Sequence, residues 1–315
     1  MAKFEIPEKQ VREMQQKGLE MLCYFDKFCT EHDLTYFLCG GCCIGTIRNE
    51  GFIPWDDDVD VFMPRKDYEQ LKKLWKDTPR YSIQYTTKNF LTENQFLTIC
   101  DNNTTFIKTY QSKLDINHGL PLDVLPLDGC PKGWRRKIQK IWALLYSLYI
   151  VGKAPENHSK GIYVLGKIAL ALVPFKNWRY YVWHFCERKM TQYPIEECEY
   201  ITELCSGPHY MQNEYPKGVF AHAVRHNFEG YLMPVPEDYD TYLKMAFGDY
   251  IKQIGESTIA RRKVRNENKT SFKKCSLQLA LAAHNSDFGF NYSPLFYCAI
   301  WFIDKWLSFF NRAIY

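Results

Sequence analysis

No stretch of this 315-residue chain holds the roughly 20 uninterrupted apolar residues that a membrane-spanning helix needs. The aromatic run at 294–310 is broken by Asp304 and Lys305. Gly/Ser-rich or Pro-rich linkers, internal repeats and low-complexity tracts are also missing, so the expected organisation is one enzyme-sized body with an appendage. That body spans residues 1–255, and a basic, aromatic tail spans 256–315. Neither the glycine spacing of a dinucleotide-binding turn nor that of a P-loop occurs. A formal charge of only +4, with basic clusters set beside apolar runs, argues against a nucleic-acid partner. Met1 to Gln16 lacks the apolar stretch of a secretory leader, so the 12 cysteines are expected to be reduced thiols in a cytoplasmic protein. Cys39 and Cys42 form a CxxC, but no second pair or histidine cluster follows at zinc-ligand spacing. Buried free thiols are the expectation.

What is present is concentrated between Leu38 and Met63, which read LCGGCCIGTIRNEGFIPWDDDVDVFM. Asp56, Asp58 and Asp60 are spaced two apart, a spacing that on a strand puts them on one face. Val59, Val61, Phe62 and Met63 predict a buried strand there. Carboxylates at the end of a core strand are costly unless cations neutralise them. Mg²⁺, or Mn²⁺ in its place, couples a few carboxylates to substrate phosphates. Gly40 and Gly41 would let backbone N–H groups of a following helix approach a phosphate. The segment therefore predicts a metal-dependent phosphate-transfer site. A calcium loop fits poorly, because the position that needs a sharp-turn glycine is Val61. A solvated acidic turn fits poorly between two apolar flanks.

The stretch resembles the LicD family, through Gly40, Gly41, Gly45, Arg48, the GFIPW run from Gly51 to Trp55, Asp56 to Asp58, and Asp60. The resemblance continues in HGLPLDVLPLDGCP, at Asp123 and Asp128, and in FEGYLMPVPEDYDTYLKMAFGDY from Phe228 to Tyr250. It implies a nucleotidyltransferase-like α/β (α+β) fold, a mixed sheet flanked by helices, with added helices and an amphipathic C-terminal tail. It implies transfer of phosphocholine, or a related phosphorylated alcohol, from a CDP-linked donor to a sugar hydroxyl of a cell-surface glycan such as teichoic acid or lipopolysaccharide. A noncatalytic nucleotide- or glycan-binding protein on the same fold is the alternative. Cys42 departs from the Ser or Thr common at that place in the family, and a thiol is a weak donor.

Asp58, Asp60 and Asp123 are the expected metal ligands. Asp56 is a second candidate for metal or proton. Gly40, Gly41, Cys42, Arg48 and Trp55 are the expected substrate contacts, Arg48 because a guanidinium can hold two phosphate oxygens. Arg65 and Lys66 could serve the same role less specifically. Asp128, followed by Gly129, reads as a turn residue. Apolar spacing predicts an amphipathic helix over 6–32 and a helix over 43–49 after the glycine turn. Residues 141–151 and 162–175 read as buried core helices. Seven basic residues between Arg261 and Lys274, followed by the aromatic segment 294–310, predict peripheral contact with the inner face of the membrane, where a lipid-linked glycan acceptor would lie.

Overall fold

The structure, a computed structural model, describes residues 8–155, 159–251 and 269–272. The expected interfacial segment 294–310 lies outside the described residues, as do most of the basic residues that precede it.

Helix α1 (Glu8–Glu31) buries Val11, Met14, Gly18, Met21, Leu22, Phe25 and Cys29, steps of three and four that form one stripe. Gly18 sits where this stripe meets the sheet, since a Cβ there would come within 2.8 Å of Val59 Cγ2. A short strand, β1 (Phe37–Leu38), leads into α2 (Gly40–Asn49), then β2 (Val59–Pro64) and α3 (Arg65–Leu74). Strands β3 (Tyr81–Gln84), β4 (Leu97–Asp101), β5 (Phe106–Lys108) and β6 (Leu120–Cys130) follow. The main sheet runs β1-β2-β6-β4-β3, and only β2 and β6 in that path are parallel. The far end of β6 pairs with β7 (Tyr200–Thr202), which pairs with β8 (Tyr215–Pro216), to complete seven strands.

Between β6 and β7 come α4 (Trp134–Val151), α5 (Lys160–Leu172) and α6 (Lys176–Met190). Beyond β8 a hairpin of β9 (Ala223–Phe228) and β10 (Tyr231–Pro236) precedes α7 (Tyr239–Phe247). Lys269–Phe272, β11, pairs antiparallel with β5. One hydrophobic core joins α1, the sheet and α7, and a second joins α4, α5 and α6 to Leu204, Cys205 and Met211. The α/β class with a mixed sheet flanked by helices is the one expected.

Three local expectations are corrected. First, α2 begins at Gly40, so the glycines form its first turn and do not precede it. Second, β6 runs eleven residues, every one buried, and Asp128 belongs to it. A turn at Asp128 fails because β7 pairs with that end of the strand, Asp128 opposite Thr202. Third, 162–175 is not a core segment. Only Gly166 and Leu170 of α5 are buried, since only that narrow side meets the body. Helix α4, by contrast, buries Trp142, Ala143, Tyr146, Tyr149 and Ile150, so 141–151 is a core segment. Its first turn also absorbs Arg136, which donates to Gln139, Thr202 and the Met211 carbonyl from a buried position.

Candidate active site

Parallel pairing of β2 and β6 sets Asp60 directly opposite Asp123. On the other side of β6, Thr98 of β4 faces Asp123 and donates its hydroxyl to Oδ1 at 2.7 Å. Lys108 of β5 donates to Oδ2 at 3.2 Å. Both oxygens of Asp123 are thus held in fixed directions at a position that is 8% exposed. Burial works against the Lys108 charge, yet Asp123 beside it holds the ammonium above its ordinary range.

Asp60 is partly buried and meets Asp58, Asp123 and Asp56 with Lys108 as the opposing cation. Desolvation, then those three carboxylates, push its carboxyl well above the ordinary carboxylate range. The strand begins only at Val59, so of the three spaced acids Asp60 alone lies in β2. Asp56, Asp57 and Asp58 occupy the loop before it, and their carboxylate oxygens lie within 4.8 Å of one another. Period-two reasoning therefore does not apply to them, and it left out Asp57, a buried member of the group. The signal for Asp57 was the unbroken Asp triplet itself.

The acidic loop is pinned from three directions. Asp56 N–H donates to the Ile53 carbonyl at 2.7 Å and closes a turn with Pro54 and Trp55 at its centre. Gln15, 3% exposed on α1, donates through Nε2 to the carbonyls of Ile53 at 3.0 Å and Asp56 at 2.8 Å. Glu229, from the β9–β10 turn, accepts from Phe52 N–H at 3.1 Å and forms a two-point pair with Arg12, at 3.0 and 2.7 Å. The Gln15 and Glu229 contacts span 38 to 217 positions in sequence, so no local pattern could have shown them. Gly51 lets Glu229 approach this closely, since a Cβ would meet Glu229 Oε1 at 2.6 Å and push that side chain aside.

The expected substrate contacts fare differently. Gly40 N–H donates to the Tyr242 hydroxyl at 3.0 Å. A Cβ on Gly41 would fall 2.0 Å from Asp56 Oδ2, so the absence of a side chain there admits the Asp56 carboxylate against the first turn of α2. The two glycines thus receive groups of the chain itself, where a phosphate cradle was expected. Cys42 is 1% exposed, and its thiol is directed to the Asp58 carbonyl at 3.6 Å. Burial, then Asp56, hold that thiol well above its ordinary range, as burial does for Cys39. Arg48 lies near the far end of α2, about 12 Å along the axis from Gly40. Its guanidinium donates to the Tyr250 carbonyl at 3.5 Å, and burial lowers its pKa. Trp55 is partly exposed beside the acidic loop. Arg65 is taken up elsewhere, in a two-point pair with Asp128 at 2.7 and 2.8 Å.

The carboxylates of Asp56, Asp57, Asp58, Asp60 and Asp123 thus gather at one mouth of the sheet, with Lys108 paired to Asp123. Clustered carboxylate oxygens suit a hard divalent cation, and they fit Mg²⁺ or Mn²⁺. Residues 33–128, which contain every one of these acids, match the family described as LicD/FKTN/FKRP, nucleotidyltransferase domain. The chain is 28% identical over 263 residues to the lipopolysaccharide cholinephosphotransferase LicD of Haemophilus influenzae, covering 77% of this chain and 91% of that relative. Over residues 33–128 the chain is thus similar to the nucleotidyltransferase domain of the LicD family, and over most of its length to one cholinephosphotransferase of that name.

Proposed function

We propose that the acidic mouth transfers phosphocholine, or a related phosphorylated alcohol, from a CDP-linked donor to a sugar hydroxyl of a glycan such as lipopolysaccharide or teichoic acid. The observation that carries this reading is the in-register pair Asp60 and Asp123 beside the clustered carboxylates of the Asp56–Asp58 loop. The name of the Haemophilus relative supports the choline group and the lipopolysaccharide acceptor.

Asp58, Asp60 and Asp123 would hold Mg²⁺ or Mn²⁺, which when bound supplies positive charge to the donor's phosphate oxygens. The chain's own residues do the rest. Thr98 and Lys108 fix the two oxygens of Asp123, so that carboxylate needs no reorganisation when substrate arrives. Lys108 also brings a positive charge to the edge of the mouth, where a phosphoryl group would lie. Asp56 stands at the start of α2, beside the mouth, and is placed to accept the proton of an incoming sugar hydroxyl. Gln15 and Glu229 hold the loop that carries Asp56–Asp58, so its carboxylates keep one arrangement between turnovers. Trp55 lies on the same loop, and its ring offers an apolar face to the transferred alcohol or the cytosine.

The test is incubation with CDP-choline, CDP-ribitol and CDP-glycerol, with and without a lipid-linked glycan, following CMP release. The reading predicts acceptor-dependent release from one donor over the others. Tight donor binding with no release in any combination would favour a noncatalytic binding protein.

A further inference from the structure

Helix α5 carries a surface that the transferase reading leaves unused. Ile162, Leu165, Ile168, Leu172 and, just beyond the helix, Phe175 are 50–66% exposed. Their spacing of three and four residues lays them along one stripe, opposite the buried Gly166 and Leu170. Trp178, at the start of α6, meets Phe175 edge-on with ring centroids 5.6 Å apart and extends the stripe. Soluble proteins seldom leave so continuous an apolar face to water, and such a face marks an interaction site.

Charge identifies the partner. Residues 157–186 contain Lys160, Lys167, Lys176 and Arg179 and not one Asp or Glu. Lys160 and Lys167, seven residues apart and exposed, lie along one edge of the stripe, and Lys176 is exposed beyond its end. An apolar stripe with exposed lysines along its edge complements anionic headgroups over acyl chains. At 13 residues α5 is about 20 Å long, too short to cross a bilayer and long enough to lie in its surface. We infer that the outer face of α5, continued by Phe175 and Trp178, docks the protein on an anionic lipid bilayer.

This inference does not depend on the donor or acceptor, since binding is read without turnover. The full-length chain is sedimented with phosphatidylcholine vesicles and with vesicles containing phosphatidylglycerol. The wild type should pellet with the anionic vesicles. Leu165→Glu combined with Ile168→Glu should lower that partitioning at least tenfold with an unchanged thermal midpoint. Lys160→Glu, Lys167→Glu and Lys176→Glu together, all at exposed sites, should remove the preference for anionic over neutral vesicles. Equal partitioning of the wild type and the Leu165/Ile168 variant would overturn the inference. A sharply lowered midpoint in that variant would overturn it too, by giving the face to another segment of this chain. A dimer in sedimentation velocity that the same variant dissociates would give it to a second copy.

Discussion

The two ends of the β2–β6 strand pair treat buried carboxylates in opposite ways. At the far end Asp128, 1% exposed, is matched one to one by Arg65, which follows β2 directly and reaches both of its oxygens. At the near end Asp60 and Asp123 face each other, three further aspartates crowd in from the loop, and Lys108 is paired to one of the group. A third solution appears at Glu203, 3% exposed, where Tyr215 donates its hydroxyl and burial pushes the carboxyl up to about 7. One carboxylate is held by a guanidinium and one by burial with a tyrosine hydroxyl, whereas at the near end several carboxylates are gathered in one place. Carboxylates crowded together so that burial and one another raise a pKa, as at Asp60, mark a candidate functional site.

That contrast can be broken most sharply at Asp60. Asp60→Asn is expected to lower turnover by at least about a hundredfold, while the thermal midpoint in metal-free buffer stays level or rises, because like charge is removed. Turnover within tenfold of wild type would end the assignment of Asp60 to the site. Asp128→Asn should do the reverse. It strands a buried guanidinium and costs about 3–5 kcal/mol of stability, measured by chemical denaturation, with kcat per folded molecule near wild type. A loss of kcat without a loss of stability would erase the distinction between the two ends.

Glu203 sharpens the middle case through pH. Its folded pKa lies above its unfolded value, so its contribution is full below about pH 4.5 and is lost as pH rises toward 7. At roughly 1.4 kcal/mol per pKa unit, wild type should lose up to about 3 kcal/mol across that window relative to Glu203→Gln. Parallel stability curves for the two proteins would show that Glu203 is not held as the neutral acid. The smallest effect belongs to the loop clamp. Arg12 is half exposed, so its pair with Glu229 is worth about 1 kcal/mol or less. Arg12→Ala should reduce turnover less than about tenfold and leave stability nearly unchanged. A larger loss of turnover would place Arg12 in the chemistry itself.

Much of this was readable in the chain, for definite physical reasons. The α1 stripe and the buried β2 strand follow from local periodicity, and the Asp60–Asp123 pair from two family-like motifs, one in each strand. Gln15 and Glu229 were not readable, because their roles are set by contacts across the fold. Asp128 was misread because Asp-Gly favours turns, and β-pairing with Thr202 overrode that local preference. That the Cys42 thiol packs toward the Asp58 carbonyl and that Asp56 lies against Gly41 was not readable either, since both contacts depend on how the acidic loop folds back on α2. The exposure of α5 ran against its apolar composition, which by itself does not distinguish a buried helix from one that meets lipid.

The central claim is that the near end of the strand pair is charged in order to bind a divalent cation. Calorimetric titration of Mn²⁺ in the presence of CMP, on wild type, Asp60→Asn and Asp128→Asn, tests it directly. The account predicts saturable binding to wild type, loss of binding in Asp60→Asn, and wild-type affinity in whatever fraction of Asp128→Asn remains folded. No binding to wild type, or equal binding to the Asp60→Asn variant, would contradict it.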